Sequence, residues 1–567
     1  MSKKVLAASV LIALAALGGR YAYTTTTRVE ESTIFAAVVP HHDLVAGARA
    51  EFFSELAKRI TPPKTIILIS PNHYDAGQGR IQTTDEIWHL ADGDIPPDQS
   101  VISSLVRTKL VTKEPSSFTN EHGIYNILGD IHANFPNALL VPLIFEHATE
   151  DELLELEKSL EATCKDCLMI ASVDFSHYQP ALLGELHDDR SIRDLEALDT
   201  NDVLTGAEVD SGPALALLTL WAKDHGTLHF ALQNHTNSGI IYKDPDMEST
   251  THVFGWYEAG EKTEPEKQVS FIIGGDMMFA RLVNHTFKNN FNDVFKDLGD
   301  RVFWGTDASF INLEGAITNG PIEDGVVSDD LTFKFSPDIV KTLSFLHITG
   351  ASLANNHSNN AGAEGLDTTR TLLHAANIQA FGGPTESSVA KTAEFKGEGM
   401  MLEVIGINLT FPNQDPASIV PLIQKFKKDP STRVLVMPHW GIEYSTMHTS
   451  EQASAAHSWI DAGADMVVGS HPHVIEDTEL YRGKPIIYSL GNLLFDQFAP
   501  GTQTGLLIAG KFTPEGLTFF ALPSQSLHLY PRLMTGMAKQ NVLTSIYVPF
   551  ARYLTETPAG TVVQLPN

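Results

Sequence analysis

Three histidines in the second half of the chain have the residue type and spacing of metal ligands. His439 follows the apolar run 434–437, and His471 and His473 follow a second apolar run, 466–468. Imidazole is the commonest protein ligand of borderline divalent metals, and an H-x-H pair after a glycine-bearing turn can direct both rings into one cavity. The pattern therefore predicts a metal site.

A helix has to connect the two apolar runs if the three imidazoles are to meet. Thr449 and Gln452 have the spacing of a capping box, and Gly463 fits a C-terminal cap. Apolar residues recur between them at helical spacing. The stretch 439–492 is thus predicted to contain a strand, helix, strand unit that places the histidines side by side at one edge of a sheet.

Metal-ligand donors also follow earlier strand candidates of the same half. They are Asp276 after the run 269–273, Asn312 and Glu314 after the run 308–311, and Asn356 and His357 after the run 346–353. A single Asp or Asn after a strand is usually a turn former or a helix cap. Five successive strand ends that all present oxygen or nitrogen donors favour one shared metal site.

Similar donors follow strand candidates in the first half of the chain. They are His41 after the run 34–39, His73 after the run 65–70, and Asp174 with His177 after the run 168–173. Helical segments 46–59 and 151–163 alternate with these runs, which predicts an α/β fold with a mostly parallel sheet. A lone histidine after a strand more often caps a turn than binds a metal.

The length and charge of the chain limit its organisation and its partners. With 567 residues the chain is too long for a single core. Its 39 Lys and Arg residues against 69 Asp and Glu residues give a formal charge of −30, which argues against nucleic acid as a partner. Cys164 and Cys167, which are the two cysteines, are predicted to form a local disulfide.

The N-terminus has the pattern of an export signal. Lys3 and Lys4 precede the apolar run 5–17, as in the n-region and h-region of a signal peptide. The run is shorter than the roughly 20 residues that span a bilayer, and no small-x-small cleavage site follows it. A cleaved signal, an uncleaved membrane anchor and a buried helix are all compatible with it. We predict an exported, extracytoplasmic protein.

A charged segment that contains Gly and Pro divides the chain. The sequence EAGEKTEPEKQ, residues 258–268, separates two apolar strand candidates and is predicted to be a linker. The predicted organisation, in chain order, is a signal peptide or membrane anchor (1–29), a first α/β domain (30–258), the linker (259–268), a second domain (269–525) and a C-terminal extension that packs on it (526–567).

Five motifs of the second half resemble those of a known family. They are GGDMMFAR, INLEGAIT, LANNHSNNAGAEGLDTT, MPHWGIEY and AGADMVVGSHPHVIEDTELYRGKPIIYSLGNLLFD. Their order resembles that of the poly-gamma-glutamate capsule synthesis (CapA-like) family, a branch of the calcineurin-like metallophosphoesterases. The resemblance implies a four-layer α/β/β/α sandwich with one or two divalent ions, Mn, Zn or Fe, between the sheet ends.

The resemblance also implies a role for each donor. Asp276, Glu314 (at the bridging position), Asn356, His439, His471 and His473 would bind metal, His357 would be the general acid, and Asn312 would line the cavity. Two positions depart from the phosphoesterase pattern, because Met278 stands where histidine is usual and Ser358 where aspartate is usual. A thioether is a poor ligand for such ions, so one metal position is expected to be weak or absent.

Six short motifs within residues 34–259 resemble a second family. They are PHHDLVAG, SPNH, EHGIYNILGDI, SVDFSHY, QNHTNSG and HVFGWYEA. They resemble the Memo-like family, also called AmmeMemoRadiSam system protein B, which is related in fold to the LigB-type ring-opening dioxygenases. The resemblance implies a single metal ion held by His41, His73 and, as the donor nearest the third family position, His235. Glu121, His122, Asp174 and His177 would line the same pocket.

Three functions are compatible with these patterns. The favoured one is an exported metal-dependent hydrolase of capsule or cell-envelope polymer synthesis, export or anchoring, with a poly-gamma-glutamate type polymer or its carrier as partner and a membrane contact through the N-terminus. The second is a non-catalytic polymer-binding scaffold, which Met278 and Ser358 favour. The third is a metal-dependent oxidoreductase activity in the first domain.

Overall fold

The computed structural model describes residues 34–322, 331–385 and 391–567. The predicted signal peptide or membrane anchor, residues 1–29, lies outside these ranges. Within them, no helix combines the length and the apolar character needed to cross a membrane.

Residues 34–258, the N-terminal part, fold around a mixed sheet. The strands are β1 (Ala36–Val39), β2 (Thr65–Pro71), β3 (Ile81–Thr83), β4 (Trp88–Leu90), β5 (Gly93–Ile95), β6 (Thr112–Lys113), β7 (Leu139–Phe145), β8 (Cys167–Ser172), β9 (His177–Gln179), β10 (His229–Asn237) and β11 (Ser249–Glu258). Neighbours run in the order β10-β11-β1-β8-β2-β7-β3-β6; β9 pairs with β11, and β4 pairs with β5. The central strands β1, β8, β2 and β7 are parallel, as predicted.

Helices accompany this sheet and bury both of its faces. They are α1 (Ala46–Arg59), α2 (Gln99–Thr108), α3 (His122–Asn134), α4 (Glu150–Thr163), α5 (Ala181–Ala197), α6 (Thr200–Thr205), α7 (Gly212–Asp224) and α8 (Ser238–Tyr242). Ile67 and Ile69 of β2 belong to one apolar core, and Ile66 and Leu68 belong to the other. A strand buried on both faces is a continuous apolar run, so its position was predictable. A Cys164–Cys167 disulfide joins α4 to β8, as predicted.

Residues 269–567, the C-terminal part, contain two larger sheets. The strands are β12 (Val269–Met277), β13 (Ala308–Leu313), β14 (Ala316–Ile317), β15 (Lys334–Phe335), β16 (Gly350–Ser352), β17 (Gln379–Phe381), β18 (Thr392–Lys396), β19 (Met401–Asn408), β20 (Thr432–His439), β21 (Met466–Val468), β22 (Thr478–Tyr481), β23 (Lys484–Ile487), β24 (Asn492–Leu494), β25 (Thr504–Phe512), β26 (Gly516–Leu527), β27 (Tyr530–Leu533), β28 (Leu554–Thr557) and β29 (Gly560–Pro566). One sheet has the order β17-β16-β13-β12-β25-β26-β29-β28, and the other has the order β18-β19-β20-β21-β23-β22.

The two sheets pack face to face between layers of helices. The helices are α9 (Arg281–Phe287), α10 (Ile339–Phe345), α11 (Gly362–Ala375), α12 (Val420–Phe426), α13 (Ser450–Ala462) and α14 (Gly536–Ile546). Phe271 of β12 and Leu435 of β20 share the core between the sheets. Leu343 of α10 lies in the core outside the first sheet, and Trp459 of α13 lies in the core outside the second. The fold is the predicted four-layer α/β/β/α sandwich.

The end of the chain extends the first of these two sheets. β27 and β29 pair with β26, and β28 pairs with β29. The predicted boundary at residue 525 falls inside β26, so the last segment continues the sheet. Leu543 and Ile546 of α14 are buried in the core between the sheets.

Helix α5 of the N-terminal part forms much of the contact with the C-terminal part. Leu183 and Leu186 belong to the same apolar core as the outer face of the C-terminal part's first sheet. On the same helix, Arg193 donates to Asp307 Oδ1 at 2.5 Å, and both side chains are buried. The two parts therefore share an apolar contact and a buried ion pair.

Candidate metal centres

The predicted donors of the C-terminal part meet where strands of the two sheets end. Asp276 lies near the end of β12, His439 is the last residue of β20, and Glu314 directly follows β13. One ligand atom from each of these three buried residues lies within 4.8 Å of the others. The carboxyl ends of parallel strands lie at one edge of a sheet, and face-to-face packing brings the two edges together.

The other predicted donors contact this group. His439 Nε2 lies 2.9 Å from Asn356 Oδ1. His473 places Nδ1 3.4 Å from Asp276 Oδ2 and Nε2 3.7 Å from Glu314 Oε1. The C-terminal centre is defined here as the following residues, which the structure brings together as the sequence predicts: Asp276, Glu314, Asn356, His439, His471 and His473.

Asn312 holds the carboxylates of the C-terminal centre in place. Its Nδ2 donates to Asp276 Oδ1 at 2.8 Å and to Glu314 Oε2 at 3.4 Å. Asn355, which the sequence analysis did not select, donates to Asn312 Oδ1 at 3.0 Å. In known metal sites, hydrogen bonds from residues next to the ligands orient the ligand groups in the same way.

The chemistry of the C-terminal centre fits a divalent cation. Burial raises the pKa of Glu314 well above its usual range, and the charges of Asp276 and Glu443 add to the rise. Burial alone would lower the pKa of His473, but Glu314 and Asp276 outweigh it and raise the pKa to about 9. Glu314 Oε1 and His471 Nδ1 are buried without a hydrogen-bond partner among the described residues. Metal coordination would satisfy both atoms.

The loop that carries His471 and His473 has a strained backbone. The two residues have φ values of +102° and +59°, in a region that favours glycine. The backbone N–H of His471 donates to Asp276 Oδ2 at 3.3 Å. Outliers of this kind cluster at functional sites, where the surrounding structure holds them.

His357 lies beside the C-terminal centre with its ring fixed. The imidazole stacks on Phe333 with ring centroids 4.0 Å apart, and Nδ1 lies 3.0 Å from Asn360 Oδ1. Its Nε2 is 3.9 Å from Glu314 Oε1. Burial lowers the pKa of His357 to about 4, so the ring is neutral near pH 7 in the absence of a nearby anion.

The two departures from the phosphoesterase pattern are buried side chains with local partners. Met278 belongs to the apolar core outside the first sheet, and its sulfur accepts from Ala280 N at 2.9 Å. Ser358 Oγ donates to Asn355 O at 3.1 Å. Neither position supplies the imidazole or carboxylate donor that is usual in the phosphoesterase pattern.

A cavity of about 440 Å³ opens beside the C-terminal centre. Asn356, His357 and His473 line it together with Arg281 and Glu443. The last two were not selected from the sequence, although each lies inside a quoted motif, GGDMMFAR or MPHWGIEY. A charged residue inside an apolar motif was the signal that could have identified them.

The N-terminal part contains a second group of donors. His41, His73 and His122 each offer a ring nitrogen within 4.8 Å of the others. Asp210 Oδ2 lies 3.3 Å from His41 Nε2 and 3.7 Å from His73 Nε2. Asp174 Oδ2 lies 3.3 Å from His41 Nε2. These five residues are called the N-terminal pocket.

Hydrogen bonds at the Nδ1 atoms of His41 and His73 orient the Nε2 atoms of both rings toward the N-terminal pocket. His73 Nδ1 lies 2.5 Å from Oε1 of the buried Glu121, and His41 Nδ1 lies 3.2 Å from Ser172 O. Metal-binding histidines usually have such a partner on the other nitrogen. Asp210 Oδ1 is buried without a hydrogen-bond partner among the described residues. The donor set fits a single divalent ion.

The structure does not place His235 in the N-terminal pocket. His235 Nε2 lies 2.7 Å from Asp188 Oδ2 of α5, and His235 is in none of the ligand groups among the described residues. Its strand, β10, is at the edge of the sheet, which separates it from β1 and β2. Asp210 was missed because it precedes α7 instead of following a strand. Burial and the charge of Asp210 raise the pKa of Asp174 to about 7, and His177, which borders the pocket, opposes the rise.

The fold and the sites define a four-layer α/β/β/α sandwich that follows an α/β domain, and each of the two parts contains a group of metal-type donors. Comparison with known families gives the finer identification. Residues 270–497 match the family model described as bacterial capsule synthesis protein PGA_cap, and residues 18–239 match that of Memo-like protein. Both resemblances inferred from the sequence are confirmed.

Two relatives and one solved structure are similar to parts of the chain. The PGA biosynthesis protein CapA of Bacillus subtilis (strain 168) is 27% identical over 312 residues, which cover 52% of this chain and 82% of that protein. A MEMO1 family protein of Caldivirga maquilingensis is 25% identical over 232 residues, which cover 38% of this chain and 81% of that protein. A crystal structure described as a novel phosphatase of Mycoplasma pneumoniae covers 46% of this chain and 94% of its own, at 13% identity and a TM-score of 0.31.

Proposed function

We propose that the C-terminal part is a metal-dependent hydrolase that acts on a phosphoester of a capsule or cell-envelope polymer or of its carrier. The observation that carries this proposal is the convergence of buried carboxylates and imidazoles in the C-terminal centre. Relatives named for PGA biosynthesis support a poly-gamma-glutamate type polymer as the partner. The pattern of residues 1–17 supports export and a membrane contact through the N-terminus.

The residues of the cleft have distinct tasks in such a reaction. When bound, divalent ions would lower the pKa of a water molecule and neutralise charge on the phosphoryl group. Asn312 donates to both Asp276 and Glu314 and would keep these carboxylates oriented to hold the ions. His357 would give a proton to the leaving oxygen from Nε2, once the negative charge of a bound phosphoester has raised its pKa.

Two measurements on the full-length protein test this proposal. One is metal analysis, and the other is an assay of the hydrolysis of a test ester. Wild-type protein should bind Mn, Zn or Fe and hydrolyse bis(p-nitrophenyl) phosphate. The double variant His471→Ala, His473→Ala should lose both properties, because it removes two imidazole ligands. His374→Ala, which lies outside the cleft, should leave both unchanged. A wild-type protein without bound metal and without hydrolysis contradicts the proposal.

A non-catalytic scaffold is a second candidate function, which the positions of Met278 and Ser358 favour. Methionine and serine replace the usual imidazole and carboxylate, so fewer donors would surround bound ions than in the usual phosphoesterase pattern. A scaffold would bind poly-gamma-glutamate equally well with and without a chelator, and it would hydrolyse no test ester. Loss of polymer binding on chelation would argue against it.

A metal-dependent oxidoreductase in the N-terminal part is a third candidate function. Two histidines and the carboxylate of Asp210 converge there, which is the donor set of many non-haem Fe(II) enzymes. Full-length protein reconstituted with Fe(II) without oxygen should bind one iron that the double variant His41→Ala, His73→Ala loses. A wild-type protein that stays free of iron at this pocket removes this candidate.

A further inference from the structure

The His473 side of the C-terminal centre lacks a donor that the phosphoesterase pattern has. By the family pattern, Asn356, His439 and His471 would hold one ion, Asp276 and His473 would hold the other, and Glu314 would lie between the two ions. Met278 packs in the apolar core with its sulfur on Ala280 N. An ion on the His473 side would have two carboxylates and one imidazole.

Glu443 reaches this side from the loop that follows β20. One of its carboxylate oxygens lies within 4.8 Å of ligand nitrogens of both His471 and His473. Glu443 lines the cavity together with His473. Among the described residues, no Lys or Arg forms an ion pair with Glu443. The cleft therefore holds a third carboxylate, beside the imidazoles of His471 and His473.

Backbone contacts hold the loop of Glu443 close to His471 and His473. The N–H of Tyr444 donates to Pro472 O at 2.8 Å, which ties the loop to the residue between the two histidines. Gly441 has a φ of +90°, and a Cβ there would lie 2.8 Å from Gln452 Nε2, so the turn packs closely on the start of α13. A carboxylate on an otherwise exposed loop is thus held beside buried imidazoles.

We propose that Glu443 is a metal ligand of the C-terminal centre and supplies, on the His473 side, the donor that Met278 does not. This inference rests on the proposed metal-dependent function. The ligands on that side are then three carboxylates and one imidazole: Asp276, Glu314, Glu443 and His473. The opposite side has two imidazoles, an amide oxygen and the shared carboxylate.

The two sides consequently differ in the metal that they prefer. Carboxylate oxygens suit hard ions such as Mn²⁺, whereas imidazole suits Zn²⁺ and Fe²⁺. The His473 side therefore favours Mn²⁺ more strongly than the His439 side does, and the His439 side binds Mn²⁺ but prefers Zn²⁺ or Fe²⁺. The replacement of the usual histidine by Met278 then changes which metal the His473 side prefers. The second metal position itself is retained.

Titration of metal-free, full-length protein with Mn²⁺, followed by equilibrium dialysis and low-temperature EPR, tests the inference. The double variant His41→Ala, His73→Ala serves as the background throughout, so that the N-terminal pocket does not contribute. On this background the parent should bind two Mn²⁺ and show the spectrum of a coupled pair. Glu443→Gln should bind the second Mn²⁺ at least about tenfold more weakly and show an isolated Mn²⁺ signal.

Two further variants make the test specific. Glu443→His keeps a donor but replaces oxygen with nitrogen, so it should bind two ions with a preference for Zn²⁺ at this position. Glu451→Gln removes an exposed glutamate of α13 and should behave as the parent does. Circular dichroism of each variant establishes that it is folded.

The outcomes separate the inference from the proposed function. If Glu443→Gln binds Mn²⁺ with the parent's stoichiometry, affinity and EPR spectrum, the inference is overturned and the metal-dependent function stands. If the parent binds no Mn²⁺, Zn²⁺ or Fe²⁺, the proposed function itself fails. A selective loss of the second ion in Glu443→Gln supports both.

Discussion

His473 is the residue whose proton most directly opposes metal binding. Its pKa is raised to about 9, because Glu314 and Asp276 outweigh the effect of burial. A raised pKa means that the imidazole holds its proton at neutral pH in the metal-free protein, and a metal must displace that proton. Metal affinity should therefore rise as the pH increases toward 9 and change little above it.

The size of this pH effect can be measured by calorimetry. We expect the affinity of the C-terminal centre for Mn²⁺ to rise about tenfold from pH 6.5 to pH 7.5, with about one proton released from His473. Titrations in buffers of different ionisation enthalpy count the released protons. Glu451→Gln should retain the effect. An affinity that is independent of pH would show that His473 is already neutral.

The loop after β21 decides whether His471 and His473 reach the centre. Its first residue, Gly469, approaches Tyr488 O and Trp440 Nε1 so closely that a Cβ would clash with both. The backbone there has no room to move, because Gly469 N donates to Ile487 O at 2.8 Å. Close packing therefore requires glycine at position 469 of the loop that carries His471 and His473.

Gly469→Ala should destabilise the fold and displace the ligand loop. We expect the free energy of unfolding to fall by about 1–3 kcal/mol and the metal affinity to fall with it, because overpacking forces a backbone shift. Urea denaturation measures the first effect, and dialysis against Mn²⁺ measures the second. Gly129→Ala, in α3 with open space around it, should instead stabilise by about 0.5–1 kcal/mol. Equal stability of the two variants would contradict this account.

At the scale of the whole molecule, we propose two domains that meet near residues 258–268 and fold as one cooperative unit. Helix α5 contributes Leu183 and Leu186 to the core of the C-terminal part. Arg301 of the C-terminal part lies 3.4 Å from the buried Glu208, two residues before Asp210 of the N-terminal pocket. The interface therefore lies close to that pocket.

Arg193→Ala tests this cooperativity. The change leaves the buried Asp307 without its Arg193 partner, which should cost about 3–5 kcal/mol. We expect calorimetry to show one unfolding transition for wild type and two for the variant, because the domains lose a buried ion pair. Lys58→Ala breaks an exposed pair with Glu55 and should change little. Two transitions in the wild type would contradict cooperative folding.

The sequence by itself determined the elements and most of the donors. The capping box of Thr449 and Gln452 begins α13, and Gly463 ends it, as predicted. Glu314 directly follows β13, as predicted, whereas β12 and β20 extend beyond the predicted runs and include Asp276 and His439 near their ends. These features depend on local periodicity, caps and turns, which neighbouring residues encode.

Only the tertiary structure decided which donors share a site. Asp210 precedes α7, and Glu443 lies beyond the end of β20 in the loop; both reach their pockets because distant elements pack beside them. His235 lies with Asp188, since edge strand β10 faces α5 instead of the central strands. Met278 is buried in the apolar core, although its sequence position suggested the metal. Local sequence encodes how a segment folds, whereas the packing of sheets and loops determines which side chains meet.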